Sequence, residues 1–207
     1  MKKVLAIVAL VAAMFVAGQA QAQSSINAGY APEKFSTSWG NSTTTENYQG
    51  FFIGLTDNFT LSKGIGVAPG IQFRMNTRSE STTVLGITSS TKETQMLLDV
   101  PVLFNYGIGI NRDLSVTPFV GPMFSFAVSG KTKNSVGSSS TTTNWYGDNS
   151  SRNPFNINLV FGAALEFNKA KLFAGYRLGL VDQEKNNDNI TTKTQGFFVG
   201  LGLNLQS

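Results

Sequence analysis

Past its first two dozen residues the chain repeats one pattern, an apolar side chain at every second position. Phe155, Ile157, Leu159, Phe161, Ala163, Leu165 and Phe167 form one such row, with Asn156, Asn158, Val160, Gly162, Ala164 and Glu166 between them. A period of two puts successive side chains on opposite faces of a pleated strand, whereas a helix needs a period near 3.6. The run also exceeds the usual strand length of roughly five or six residues. Similar rows begin at Ile65, Met96, Leu114, Leu172 and Val199, and two shorter ones hold Ile26, Ala28, Tyr30 and Phe51, Ile53, Leu55. Together these rows predict an all-β fold of eight antiparallel strands. Pro69, Pro101, Pro118 and Pro122 fall inside the rows. Proline removes a ladder hydrogen bond, so bulges or strand ends are expected there.

The connections alternate in length. Thr56–Gly64, Ile108–Asp113 and Asn168–Ala170 are short, while Ser38–Asn47, Asn76–Lys92, Gly130–Arg152 and Asp182–Thr192 are long and rich in Ser, Thr and Asn. Tight turns at one rim and long polar loops at the other describe an up-and-down barrel that crosses a membrane with strands. Both chain ends then lie at the tight-turn rim, which is the periplasmic one in that arrangement.

Alternation alone does not say which row meets solvent. A soluble barrel would clothe its outer row in charge, at roughly a quarter to a third of surface positions. Only 14% of this chain is charged, and many of those residues fall in the connections. The second row is mostly Gly, Ala, Asn and Ser, which suits the narrow interior of an eight-stranded barrel. Lipid supplies no hydrogen bonds, so a sheet that enters it must close on itself. The apolar row is therefore expected to face lipid. Tyr30, Tyr48, Phe51, Tyr106 and Phe197, where strands meet connections, are candidates for an interfacial aromatic belt. Trp145 and Tyr146 lie in the longest connection, where they could contact headgroups, contact a partner, or pack the loop.

The first residues carry a different signal. Lys2 and Lys3, an uncharged stretch from Val4 to Gly18, and Ala20-Gln21-Ala22 are the parts of a secretory signal peptide. The stretch is too short for a membrane helix, which needs about 20 apolar residues. Residues 1–22 are thus expected to be removed and residues 23–207 to form one barrel domain. The net charge of +4 for the whole chain includes Lys2 and Lys3, which leaves little excess to attract nucleic acid. The chain has no Cys and no His, which excludes disulfides, Ser-His and Cys-His catalysis, and the commonest transition-metal ligand. No cofactor or metal site is expected. Asp148 and Asp188 lack any ligand spacing, and the Asn-x-Ser/Thr sequences at Asn41, Asn58, Asn149 and Asn189 read as ordinary polar composition.

Five charged residues fall on the inward row: Glu33, Arg74, Asp99, Glu166 and Arg177. An isolated buried charge is costly, so at least one pair is expected, and the five together predict a polar plug. The chain from Ser24 to Leu205 resembles bacterial outer-membrane β-barrels of the OmpA/OmpX-like, porin-family type. The resemblance is most specific in Phe198-Val199-Gly200-Leu201-Gly202-Leu203-Asn204-Leu205, similar to the terminal insertion signal of such barrels. Phe198, Gly200, Leu203 and Leu205 carry that match; Leu205 stands where an aromatic is usual, and Gln206-Ser207 trail behind it. The resemblance implies outer-membrane lipids as surroundings, with barrel-assembly machinery and periplasmic chaperones as partners during insertion. It leaves four functions: a structural or interaction barrel that offers its loops to an extracellular ligand, a narrow pore for ions or small solutes, a lipid-modifying enzyme, and a soluble ligand-binding barrel. The missing His counts against the third, and the sparse surface charge against the fourth.

Overall fold

The computed structural model describes residues 22–62, 64–85, 87–147, 152–184 and 189–205. Apart from Ala22, the expected leader lies outside these, as do Asp148, Asn149 and Asp188. The described chain is all β: β1 Ala22–Tyr30, β2 Glu33–Trp39, β3 Ser42–Ser62, β4 Ile65–Val84, β5 Ile87–Tyr106, β6 Ile108–Gly109, β7 Leu114–Val136, β8 Ser139–Asn144, β9 Phe155–Phe167, β10 Ala170–Gly179 and β11 Ile190–Asn204. Neighbours pair antiparallel in the order β1-β11-β10-β9-β7-β5-β4-β3-β2, with β6 and β8 as side pieces on β7. β1 and β2 are the two halves of one strand, since both pair with β3 and with β11. The sheet therefore closes into a ring of eight strands.

The break between β1 and β2 is local. Ala31 donates its N–H to the Gly50 carbonyl at 2.8 Å. A Cβ on Gly50 would lie 2.0 Å from the Ala31 oxygen, and one on Gly196 2.1 Å from the Pro32 oxygen. Two glycines flanking the proline let neighbouring backbones close over the kink.

The apolar row faces outward. Phe51, Ile53, Phe104, Phe161, Leu172 and Leu201 are all exposed, while Arg74, Asn76, Asp99, Asn158 and Arg177 are buried. This polarity is the reverse of a water-soluble core.

Three expectations from the sequence need correction. The prolines mark neither bulges nor strand ends. β4 and β5 keep one register on both sides of Pro69 and Pro101, as do β7 and β9 around Pro118 and Pro122. One missing N–H interrupts a rung, and the many rungs on either side hold the strand in place. The irregularities lie at Leu61, in β3, and at Val128, in β7. Second, three of the long polar connections are strands for most of their length. β2 and β3 are joined at residues 40–41, β4 and β5 at 85–86, and β7 and β8 at 137–138. Threonine favours the pleated conformation, and runs such as Ser81-Thr82-Thr83 pair with Thr88-Ser89-Ser90 in full register. Third, Tyr48 is not part of an outer belt. It is fully buried, on the same inward row as Phe52. Tyr30, Phe51 and Phe197 do cluster outside, with ring centroids 5.5 and 6.1 Å from Tyr30, and Tyr106 is exposed near the other rim.

Candidate functional site in the lumen

The lumen is stacked in four layers between the rim that carries the chain ends and the rim formed by the long hairpins. The first layer is polar. Ser25 Oγ donates to Asn204 Oδ1 at 2.6 Å, Asn27 Nδ2 to Thr56 Oγ1 at 2.9 Å, and Asn105 Nδ2 to Asn58 Oδ1 at 2.9 Å. Glu166 sits here, opposite Lys171 on the neighbouring strand.

The second layer is aromatic. Phe52, Phe119, Phe173 and Phe198 pack with Leu103, Met123 and Val160. Each ring lies over a glycine directly across the ladder. Phe52 faces Gly29, Phe119 faces Gly162, Phe173 faces Gly200, and Phe198 faces Gly175. A Cβ on any of these glycines would come within 2.4–2.7 Å of the partner ring. The glycines leave the width of a ring and the phenylalanines fill it, a pairing known to compensate strand glycines. The inward row, expected to be mostly small and polar, therefore also carries a cluster of aromatic rings. A cavity of about 110 Å³ is lined by residues of both layers and reaches Gln72 and Arg177 of the layer above.

The third layer holds the charges. Arg74, 1% exposed, donates Nη1 to Glu33 at 2.5 Å, Nε to Asp99 Oδ2 at 2.7 Å and Nη2 to Asp99 Oδ1 at 3.3 Å. β4 supplies the arginine, β2 and β5 the carboxylates. Asn76 donates to Glu33, and Gln72 Nε2 to Asp99 at 3.3 Å. Arg177 approaches Glu33 to 3.9 Å from β10. The structure thus brings together Glu33, Arg74, Asp99 and Arg177, and leaves Glu166 in the first layer.

The fourth layer lies at the hairpin rim. Trp145 is buried against Phe35 and Tyr48, with Tyr146 packed beside it. Trp145 Nε1 donates to Thr132 Oγ1 at 2.6 Å, and the Arg152 guanidinium lies 4.0 Å from the centre of the Trp145 ring, a cation–π contact. Packing of the mouth is therefore what Trp145 and Tyr146 do. Gln95 Nε2 donates to Tyr146 Oη at 2.6 Å and its oxygen accepts from Asn76 at 3.1 Å, which ties the mouth to the charged layer. Above this, Arg78 holds Glu46 and Glu80 at 2.5 Å each and Glu93 at 3.4 Å.

The terminal segment Phe198–Leu205 splits between faces. Phe198 turns inward to the aromatic layer, while Leu201, Leu203 and Leu205 are exposed outside. Gly200 is a ring-bearing glycine as well as part of the terminal motif.

Among solved structures the chain is similar to Ail, the attachment invasion locus protein of Yersinia pestis, at 21% identity and a TM-score of 0.41, over 88% of this chain and 99% of that one. Neisserial surface protein A is similar at 10% identity and a TM-score of 0.47, over 87% and 97%. The N-terminal β-barrel domain of Pseudomonas aeruginosa OprF is similar at 13% identity and a TM-score of 0.30, over 88% and 100%. No curated protein matches the chain. A family model for the outer membrane protein beta-barrel domain matches residues 18–183. With a closed ring of eight strands, an apolar exterior and that match over most of its length, the chain belongs to the outer membrane protein beta-barrel domain family.

Proposed function

We propose that this protein is a closed, non-catalytic surface barrel whose task is carried by the hairpins that rise beyond its lipid-facing belt. The observation that carries the reading is the stacking of the lumen. An aromatic layer, an ion-paired layer and a tryptophan-capped mouth follow one another, so a solute has no continuous path. The buried acids offer little to chemistry. Glu33 and Asp99 are both committed to Arg74, and a chain without His lacks the usual activator of a serine nucleophile. The hairpin rim faces the outside of the cell and the chain ends face the periplasm, the arrangement that follows export and insertion through the terminal strand. Surface exposure of the Ser/Thr-rich hairpins then makes an extracellular ligand their natural partner.

Planar-bilayer recording of the purified protein tests the closed lumen. The expected result is no steady open state, and a large, persistent conductance would replace this reading with the narrow pore. Protease treatment of intact cells tests the orientation. Cleavage within residues 78–94 and 131–144 is expected, with residues 107–113 protected.

A further inference from the structure

The four rings of the aromatic layer form an arc and leave one side of it open. Ring contacts run from Phe119 to Phe198, from Phe198 to Phe173 and from Phe173 to Phe52, with centroids 6.1 to 6.3 Å apart. Among the described residues no ring contact joins Phe52 back to Phe119. Phe52 is on β3 and Phe119 on β7, and β4 and β5 lie between them. These two strands bring only Ala68, Pro101 and Leu103 to the cavity at that level. The space of about 110 Å³ is thus bounded by the arc on one side and by short side chains on the other. An apolar cavity of about 150 Å³ holds benzene, so this one is on the scale of a single small ring.

Both ends of this space are polar. Toward the chain ends it is lined by Gln23, Asn58 and Asn105, all half-buried, which leaves a way in from that rim. At the other end stands Arg177, 2% exposed. Its Nε and Nη2 are buried and hold no hydrogen bond, and Glu33 comes no closer than 3.9 Å. Arg74 alone hydrogen-bonds Glu33 and Asp99 among the arginines of this layer. Nε and Nη2 form one edge of a guanidinium, and with that same edge Arg74 grips both oxygens of Asp99, at 2.7 and 3.3 Å. Two parallel N–H groups fit the two oxygens of a carboxylate, and donors buried without a partner are destabilising until one arrives. The edge is covered by protein, so binding requires the side chain to turn toward the cavity it lines; no hydrogen bond of that edge has to break. The charged residues on the cavity wall are Glu166, Lys171 and Arg177, which leave one positive charge facing it.

We propose that this cavity binds a small monocarboxylate with an apolar body the size of one ring, its carboxylate on Arg177 and its ring against Phe52, Phe119, Phe173 and Phe198. The ligand enters from the rim that carries the chain ends and goes no further, since Arg74, Glu33 and Asp99 lie beyond the cavity wall. With that rim in the periplasm, as argued above, the ligand is a periplasmic solute, but binding is measurable with purified protein whatever the orientation in cells.

The test uses the full folded barrel in zwitterionic micelles, with its methionine methyl groups isotope-labelled for NMR. Met123 packs in the aromatic layer and lines the cavity, whereas Met75 and Met96 are paired on the lipid-facing side. Titration with benzoate is expected to shift the Met123 methyl and to leave those of Met75 and Met96 in place. Benzamide has the same shape without the charge and should bind about ten- to a hundredfold more weakly, the worth of charge-assisted hydrogen bonds. Arg177→Met should remove that preference. Ala68→Leu, which fills the open side of the arc, should abolish binding of both compounds. A Met123 methyl unmoved at millimolar benzoate would mean a cavity that holds water only and would overturn the proposal. Equal movement of all three methyls, the mark of partition into the micelle, would overturn it too, as would equal affinity for benzoate and benzamide or unchanged binding by Ala68→Leu. The comparison of benzoate with benzamide uses the unmodified chain, so it decides even where Arg177→Met does not fold. Bilayer conductance has no bearing on these outcomes, so failure here is distinguishable from failure of the closed-barrel reading.

Discussion

Arg74 is the residue whose removal should cost most. It neutralises two carboxylates inside a closed cylinder, and replacing it with methionine keeps its length while deleting three charge-assisted hydrogen bonds. Glu33 would retain Asn76 and, at 3.9 Å, Arg177. Asp99 is fully buried and would keep a 3.3 Å bond from Gln72. Breaking a buried pair by taking away one partner typically costs 3–5 kcal/mol, because the stranded charge stays desolvated. We expect Arg74→Met to lose about that much, measured by urea unfolding in lipid vesicles. Adding Asp99→Asn to the same chain should recover part of the loss, because it removes the stranded charge along with its partner. Arg74→Lys should fall between, since one ammonium cannot span both acids at these distances. A loss below about 1 kcal/mol for Arg74→Met would refute the argument, because that is the range of ion pairs bathed in water. The layer would then be hydrated rather than sealed.

Other consequences follow from the same layers. Gly200→Ala places a Cβ 2.4 Å from the Phe173 ring tip; it should cost about 1–3 kcal/mol in thermal or urea unfolding, and the double variant with Phe173→Leu should cost less than the sum of the two. Trp145→Ala removes the cap of the mouth, yet planar-bilayer recording should still find no steady conductance, because the charged and aromatic layers remain beneath it. Leu201→Arg puts a charge on the lipid face at a side chain that is 67% exposed and should destabilise the barrel by about 2–4 kcal/mol, whereas Leu201→Val should be close to neutral.

The sequence and the structure agree where one physical constraint acts alone. Lipid outside and a narrow axis inside impose strict alternation, so strand number, closure and the outward row could be read from residues such as Phe161, Leu172 and Leu201. They diverge where polar composition does not mean irregular backbone. Thr82 and Thr141 look like loop residues by composition, but a threonine-rich strand in full register satisfies its backbone as well in water as an apolar one does in lipid. The inward charges are legible because ions are rare in such rows, although separating Glu166 from the rest requires a knowledge of height that spacing within one strand does not give. The aromatic layer was missed. Phe52, Phe119, Phe173 and Phe198 each stand at the parity of small residues, and the signal that would have found them is the glycine across the ladder, which depends on register between strands.

The Val128 irregularity shows how strongly that register governs the molecule. Below it, even-numbered residues of β7 face out, such as Val120 opposite Phe104; above it, odd-numbered ones do, such as Lys131 opposite Thr94. Counting by twos along the sequence would send Lys131 and Lys133 into the lumen; the extra residue sends them to the membrane side, and sends Gly130 inward beneath Trp145. Val128 is 65% exposed. Deleting it should therefore restore a regular strand with every neighbour on its present face, at a cost within about 1 kcal/mol. Val120 is also exposed, at 48%, but sits in an unbroken ladder. Deleting it forces one half of β7 to slip by a residue, and a one-residue slip turns every side chain to the other face. Phe119 would lose its glycine, or the lysines would turn inward, and the barrel should lose more than about 4 kcal/mol or fail to assemble. Heat-resistant migration on a cold gel, followed by urea unfolding, separates the two deletions. Equal damage from both would mean that the lipid-facing alternation, and not the cross-strand register, decides which side chains share a layer.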